Sequence, residues 1–125
     1  MRYMCLVYLE EEKMVSLAKD PAAIGKFENE VTALDRDLKE SGALIMASPL
    51  RRVREAVTIR VRDGRLSVTD GPFAETKEQL GGFILIEARD LNEAIAVAQR
   101  SPLARVGSIE VRPVGHPGWP EQQRG

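Results

Sequence analysis

Arg2-Tyr3-Met4-Cys5-Leu6-Val7-Tyr8-Leu9 carries apolar or aromatic side chains on both alternating sets, Tyr3, Cys5, Val7 and Leu9 on one and Met4, Leu6 and Tyr8 on the other. Successive residues of a strand point to opposite faces of its sheet. A strand with no polar face belongs in the middle of a sheet, covered from both sides. Phe83-Ile84-Leu85-Ile86 reads the same way. Two such stretches, far apart in the chain, predict two central strands, and the other segments are placed around them.

Between them, Glu10 to Lys19 reads as a polar connection. Asp20-Pro21 then opens a helix, with Asp20 as N-cap and Pro21 at the first helical position, where a missing N–H costs nothing. Ile24, Phe27, Val31, Leu34 and Leu38 form one apolar stripe along it. Gly42 closes it as a left-handed residue. Ala43 to Ala47 is a short strand stopped by Ser48-Pro49. In Ala56 to Arg62, Val57, Ile59 and Val61 alternate with Thr58, Arg60 and Arg62, the pattern of a half-buried strand with one wet face. Asp63-Gly64 is a two-residue hairpin turn, and Leu66 and Val68 continue the apolar face on the return strand. Asp90-Leu91-Asn92-Glu93 resembles a capping box, and its helix ends before Ser101-Pro102. Gly107 to Val114 is the last strand, with Ile109 and Val111 inward.

Strand, helix, strand, hairpin, strand, helix, strand is the order of an α+β, ferredoxin-like split βαβ protomer with an extra β-hairpin. Its antiparallel sheet carries two helices on one face. Residues 1–114 form this single domain and 115–125 an irregular tail. With both helices on one side, the other face of the central strands is left bare, and soluble monomers rarely expose such patches. A homodimer through the sheet face opposite the helices is therefore expected, burying about 1,200 Å² or more in total.

At 125 residues, 43% hydrophobic and 30% charged, the chain has the composition of a globular protein. Its 18 basic and 19 acidic residues argue against nucleic acid as a partner. No apolar run is long enough to span a bilayer, so no membrane association is expected. The N-terminal apolar run breaks at Glu10-Glu11-Glu12 without a small-residue cleavage site, unlike a signal peptide, and the cytoplasm is the expected location. The single cysteine, Cys5, excludes an intrachain disulfide and every cysteine-cluster metal site. No metal and no organic cofactor is expected.

Val68 to Phe83 holds three glycines, a proline and the carboxylates Asp70, Glu75 and Glu78, more than a plain hairpin connection needs. Asp70 is the candidate catalytic residue, a general acid or base with its pKa raised by partial burial. The rival role is a turn aspartate bonding the backbone of Gly71-Pro72-Phe73. Gly71 shapes the turn and Phe73 serves as an apolar anchor or a ligand-stacking ring. Glu75, Lys77 and Glu78 read as solvated loop charges, with a lip presenting charge to a ligand or partner as the rival reading; Gly81-Gly82 reads as a bulge entering the second central strand, with close approach of a ligand to the backbone as its rival. Arg60 and Arg62 share a wet face from which they can clamp a carboxylate or phosphate; the rival reading is edge protection. Tyr3 and Tyr8 alternate to opposite faces, so one of them lines a pocket, with Tyr8 taken as the candidate. His116, the single histidine, reads as a turn residue.

Asp70-Gly71-Pro72-Phe73-Ala74-Glu75-Thr76-Lys77-Glu78-Gln79-Leu80-Gly81-Gly82-Phe83 resembles the signature of the DGPF-type branch of the YCII-related proteins. The resemblance extends through Val61-Arg62-Asp63-Gly64, Arg89-Asp90-Leu91-Asn92-Glu93-Ala94 and Ile109 to Val114. It implies a dimeric α+β barrel of ferredoxin-like protomers. In related branches a histidine and an aspartate in a dimer-associated cleft are the proposed acid–base pair. Asp70 matches the aspartate; Ile24 and Gly25 stand where a histidine would be sought. The resemblance thus implies a small acidic or carbonyl metabolite bound near Asp70, with cofactor-independent, isomerase-like acid–base chemistry. The alternative is a non-catalytic regulatory or accessory protein working with a partner such as an alternative sigma factor, because members of the family are often encoded beside one.

Overall fold

The first strand, β1 (Arg2–Leu9), lies between two antiparallel neighbours, as a strand apolar on both faces should. The structure is a computed structural model that describes residues 1–120. After β1 come α1 (Glu11–Ala18), α2 (Pro21–Glu40), β2 (Leu44–Pro49), a 3-10 turn (Val53–Glu55), β3 (Val57–Arg62) and β4 (Arg65–Asp70). β5 (Gln79–Glu87), α3 (Leu91–Arg100), the single turn α4 (Leu103–Val106) and β6 (Ser108–Pro113) complete the chain. The main sheet has the order β2-β5-β1-β6, every neighbouring pair antiparallel. β1 and β5 are its central strands, and the fold is the α+β split βαβ arrangement read from the sequence.

One side of the central pair forms the core. Tyr3 stands opposite Ile86 and Cys5 opposite Ile84, and these four pack with Ala88 and with Ala94 of α3. Leu34 and Leu38, the C-terminal half of the α2 stripe, are also buried. Enclosing each large apolar side chain stabilises the fold by roughly 1.5–3 kcal/mol. Burial pushes the Cys5 thiol pKa up, so at neutral pH it behaves as a small apolar residue. The alternate residues, Met4, Leu6, Phe83 and Leu85, lie on the other face and are only half-buried.

The ends of α2 follow their sequence signals. The Asp20 side chain accepts from the Ala23 N–H at 3.2 Å. At the other end Gly42 takes φ 78°, the Ala43 N–H reaches Leu38 O at 2.9 Å and the Gly42 N–H reaches Lys39 O at 3.1 Å, a Schellman closure. Two ion pairs tie α2 to α3 and α4, Asp37 to Arg100 at 2.8 Å and Glu30 to Arg105.

Several expectations need correction. The polar connection before Asp20 is the helix α1, held by packing and tertiary hydrogen bonding that its polar composition hides. Met14, Val15 and Leu17 are partly buried, Glu11 and Glu12 occupy its first turn, where acidic groups suit the helix dipole, and Glu11 accepts the Val53 N–H at 2.9 Å. β2 runs through Ser48 to Pro49 instead of stopping before them, which proline permits because β2 is an edge strand with an unused outer side. The largest departure concerns β3 and β4. They pair in the expected register around a turn with Asp63 at φ 53° and Gly64 at φ 74°, yet they form a sheet of their own. Val57, Ile59, Val61, Leu66 and Val68, read as an inward face, are 57–67% exposed.

Residues 115–120 are irregular, with Trp119 exposed. The Gly118 N–H donates to His116 Nδ1 at 3.0 Å, in keeping with a turn. The rest of the tail expectation, residues 121–125, lies outside the described residues.

Candidate functional site

The apolar stripe of α2 does two jobs. Leu34 and Leu38 fill the core, whereas Val31 and Phe27, one and two turns nearer the N-terminus, roof a cavity of about 540 Å³. Its floor is the β2–β5 side of the sheet, where Ala47 and Gly82 bring almost no side chain to the space below the helix. Small residues under a helix that keeps its distance leave a void; larger ones would have filled it. Gly82 also has a local reason to be glycine, since a Cβ there would stand 3.0 Å from Ser48 O. Beside it, Val7 pairs with Gly82 but Tyr8 with Leu80, so Gly81 is the extra residue of a bulge. The Gly81-Gly82 pair thus bends β5 at the cavity wall, as the bulge reading expected.

Polar groups reach the cavity from α2. Glu28, Thr32 and Asp35 line it and, spaced by four and three residues, share one helix face. Asp35 is half-buried. Among the described residues neither Glu28 nor Asp35 has a hydrogen-bond or ion-pair partner, in contrast to Glu30 and Asp37 on the same helix. Among the described residues no lysine, arginine or histidine lines the cavity. The space therefore offers apolar walls, two carboxylates as acceptors and one hydroxyl that donates or accepts. Sequence reading missed this site because Asp35 and Glu28 look like ordinary charges on the outer face of an amphipathic helix. The available signal was their offset toward the Phe27–Val31 side, opposite the glycine pair.

Gly81 and Gly82 apart, the candidate site residues named from the sequence stand elsewhere, in two groups. Arg60, Arg62, Asp70, Gly71 and Phe73 lie on the hairpin and the turn that follows it, and none of them lines the cavity. Asp70 ends β4 at an exposed position, and its carboxylate has no hydrogen-bond partner among the described residues. The turn is held instead by the Gly71 N–H donating to Ala56 O at 2.8 Å and by Thr58 Oγ1 donating to Gly71 O at 3.0 Å. Gly71 takes φ 104°, which explains glycine there. Phe73 is 80% exposed and anchors nothing in the core; the Arg60 guanidinium stands 5.7 Å from its ring centroid, within cation–π range. Arg62 donates to Val61 O at 3.1 Å.

Tyr8 forms the second group, on the open face of the sheet. Its hydroxyl donates to Glu110 at 3.2 Å. Desolvation, then the bond to the Glu110 carboxylate, pushes its pKa up, with Arg112 pulling the other way. Tyr3 is the buried tyrosine, its hydroxyl 3.8 Å from Met1 Sδ. Neither tyrosine lines the cavity. In the loop after the turn, Glu78 is a brace and not a solvated charge. It accepts from Ser108 Oγ at 2.7 Å, while Thr76 Oγ1 donates to Glu78 O at 2.6 Å. Among the described residues no cluster of three or more histidine, cysteine or acidic side chains is placed to hold a metal ion, and no helix is long and apolar enough to cross a membrane.

A four-stranded split βαβ sheet with a detached hairpin and a cavity under the first long helix defines the structural class. The chain matches the YCII-related domain over residues 1–116 and belongs to that family. It is 37% identical over 116 residues to an uncharacterized protein of Rhizobium meliloti (strain 1021), covering 91% of this chain and 92% of that protein. Among solved structures it is similar to a 5-chloro-2-hydroxyhydroquinone dehydrochlorinase from Burkholderia phenoliruptrix AC1100, in complex with 2,5-dihydroxybenzoquinone. That likeness has a TM-score of 0.46 at 13% identity, over 93% of this chain and 95% of that one.

Proposed function

We propose that the protein binds a small, largely apolar carbonyl compound in the cavity under α2 and moves a proton on it, with Asp35 as the base. The observation that carries this is the cavity itself, whose charged lining among the described residues is two unpartnered carboxylates with no cation. An acidic metabolite would meet like charge there, at a cost that a low-dielectric wall makes larger. A neutral carbonyl compound with an acidic C–H next to its carbonyl suits the same groups. The half-buried Asp35 carboxylate takes the proton, the Thr32 hydroxyl donates to the carbonyl oxygen as charge develops on it, and Asp35 returns the proton at another carbon. No electrons leave the substrate, so the cycle is an isomerisation and balances without a cofactor. The small-molecule, acid–base half of the sequence reading is kept, with the site moved from the hairpin turn to the cavity.

The test is proton exchange. A panel of small neutral ketones and lactones, beside carboxylic acids as comparison, is incubated with the protein in deuterated water and read by NMR. Deuterium uptake at the carbon next to the carbonyl is expected for a neutral member, lost at least ~100-fold in Asp35→Asn and retained in Asp70→Asn. Loss in Asp70→Asn with Asp35→Asn active would return the site to the turn. No uptake and no thermal stabilisation by any member would overturn the reading.

The same proposal takes the protein as a homodimer through the open sheet face. What supports this is the row of half-buried Met4, Leu6, Phe83 and Leu85 that no helix covers.

A further inference from the structure

The five exposed apolar side chains of the hairpin are the least explained feature of the molecule. β3 and β4 place Val57, Ile59 and Val61 on one face, with Val68 opposite Ile59 and Leu66 opposite Val61. Each is more than half exposed. A two-stranded ribbon is marginal in water by itself, so a ribbon whose continuous apolar face is mostly exposed is expected to have a partner. Sequence alternation this strict, with Thr58, Arg60 and Arg62 on the other side, specifies a covered face and a wet face.

We infer that the hairpin is an arm that lies across a second copy of this chain, its apolar face covering part of the partner's open sheet face. This rests on the homodimer reading above and adds to it the element that makes the interface large enough. Two observations favour a second copy over another protein. The first is area. At about 25 cal/mol per Å², the transfer free energy of such side chains corresponds to roughly 60–120 Å² each, so five of them supply on the order of 300–600 Å². That falls short of the ~800 Å² per partner of a stable interface. The open face around Met4, Leu6, Phe83 and Leu85 supplies apolar surface of the same kind, and a two-fold axis lets each copy offer both, arm to sheet and sheet to arm.

The second observation is charge. Between positions 57 and 70 the arm has three arginines against two carboxylates, which leaves fifteen basic and seventeen acidic residues elsewhere. The arm carries a small positive excess and the body a small negative one, so arm against body is weakly attractive and arm against arm weakly repulsive. Among the described residues Arg60, Arg62 and Arg65 have no ion-pair partner within their own chain, which leaves them available to the acidic body of the other copy.

Sedimentation velocity and native mass spectrometry of three proteins test this: wild type, the arm variant Ile59→Asn with Leu66→Asn, and the sheet variant Leu85→Lys. The arm substitutions sit at exposed positions, so circular dichroism should match wild type. Wild type is expected to be a dimer at micromolar concentration, and both variants monomers, with dissociation constants raised at least ~100-fold by the loss of buried branched side chains. A wild-type monomer would overturn both the arm and the homodimer reading. A wild-type dimer that the arm variant leaves intact while Leu85→Lys breaks it would overturn the arm alone. Should the arm variant misfold, hydrogen exchange on wild type decides. Amides of 57–70 must be protected at high concentration and lose protection on dilution, and protection independent of concentration sinks the arm.

Discussion

Gly107 has no room for a side chain. A Cβ built on it would lie 2.2 Å from Tyr8 O, a backbone atom of β1, and 2.8 Å from Leu9 Cδ2. Its φ of −153° is negative, so contact with β1 and not a left-handed backbone is the constraint that the structure shows. Gly107→Ala is expected to push β6 off β1 at its first rung, lowering stability by ~3 kcal/mol in urea unfolding. Gly115→Ala, with nothing within 4 Å, should stay within about 0.5 kcal/mol of wild type. Equal effects from both would show that chain entropy and not crowding governs these glycines. Residue identity in the sequence says only that glycine is present at both positions; which one is crowded depends on a neighbour about a hundred positions away. The same limit hid Asp35. Its chemistry was visible in the sequence but not the void beside it, because the void comes from Gly82 and Ala47 on other strands. Asp70 was prominent for the opposite reason, since turn chemistry is local and legible, and local richness does not bring a second polar group within reach.

Helix ends are where sequence and structure agree best at the scale of the element. Asp90 accepts the Glu93 N–H at 2.9 Å, while Glu93 reaches back to the Arg89 N–H at 3.1 Å, one residue earlier than an ordinary capping box. α3 carries Ala94 into the core, so fraying of its first turn should register in global unfolding. Asp90→Ala is expected to cost about 1 kcal/mol, and Asn in its place to restore most of that, as a side-chain acceptor remains. A loss as large with Asn as with Ala would mean that charge at the helix dipole, and not the cap bond, is what matters. α2 was equally legible because cap, stripe and terminal glycine agree along it. α1 was not, for it has no side-chain cap bond and its support is tertiary, through Glu11 and the turn at Val53. The hairpin divides the two cases. Its register and turn follow from Asp63-Gly64 and the alternation, but a period of two says that one face is covered and nothing about what covers it.

For the whole molecule, the question is whether the sheet and its helices are a folding unit without the arm. The two ends of the arm meet, since the Gly71 N–H donates to Ala56 O at 2.8 Å, and β3–β4 form a sheet separate from the main one. Closing 56 to 71 with a short Gly/Ser linker therefore asks no other element to move. Shortening the loop changes its closure entropy by only about 0.6 kcal/mol per halving, and the core of Tyr3, Cys5, Ile84, Ile86 and Ala94 contains no hairpin residue. The protein lacking 57–70 is expected to unfold cooperatively in urea, with a midpoint close to that of wild type at concentrations where wild type is monomeric. At micromolar concentration the two should diverge, because only wild type gains stability from association, by an amount that grows with protein concentration. This deletion also removes Arg60, Arg62 and Asp70 together. If it keeps proton exchange on a neutral carbonyl compound as a folded monomer, the chemistry belongs to the cavity under α2 and the arm serves association. A folded deletion protein that has lost exchange, beside an Asp35→Asn variant that keeps it, would assign the chemistry to the arm.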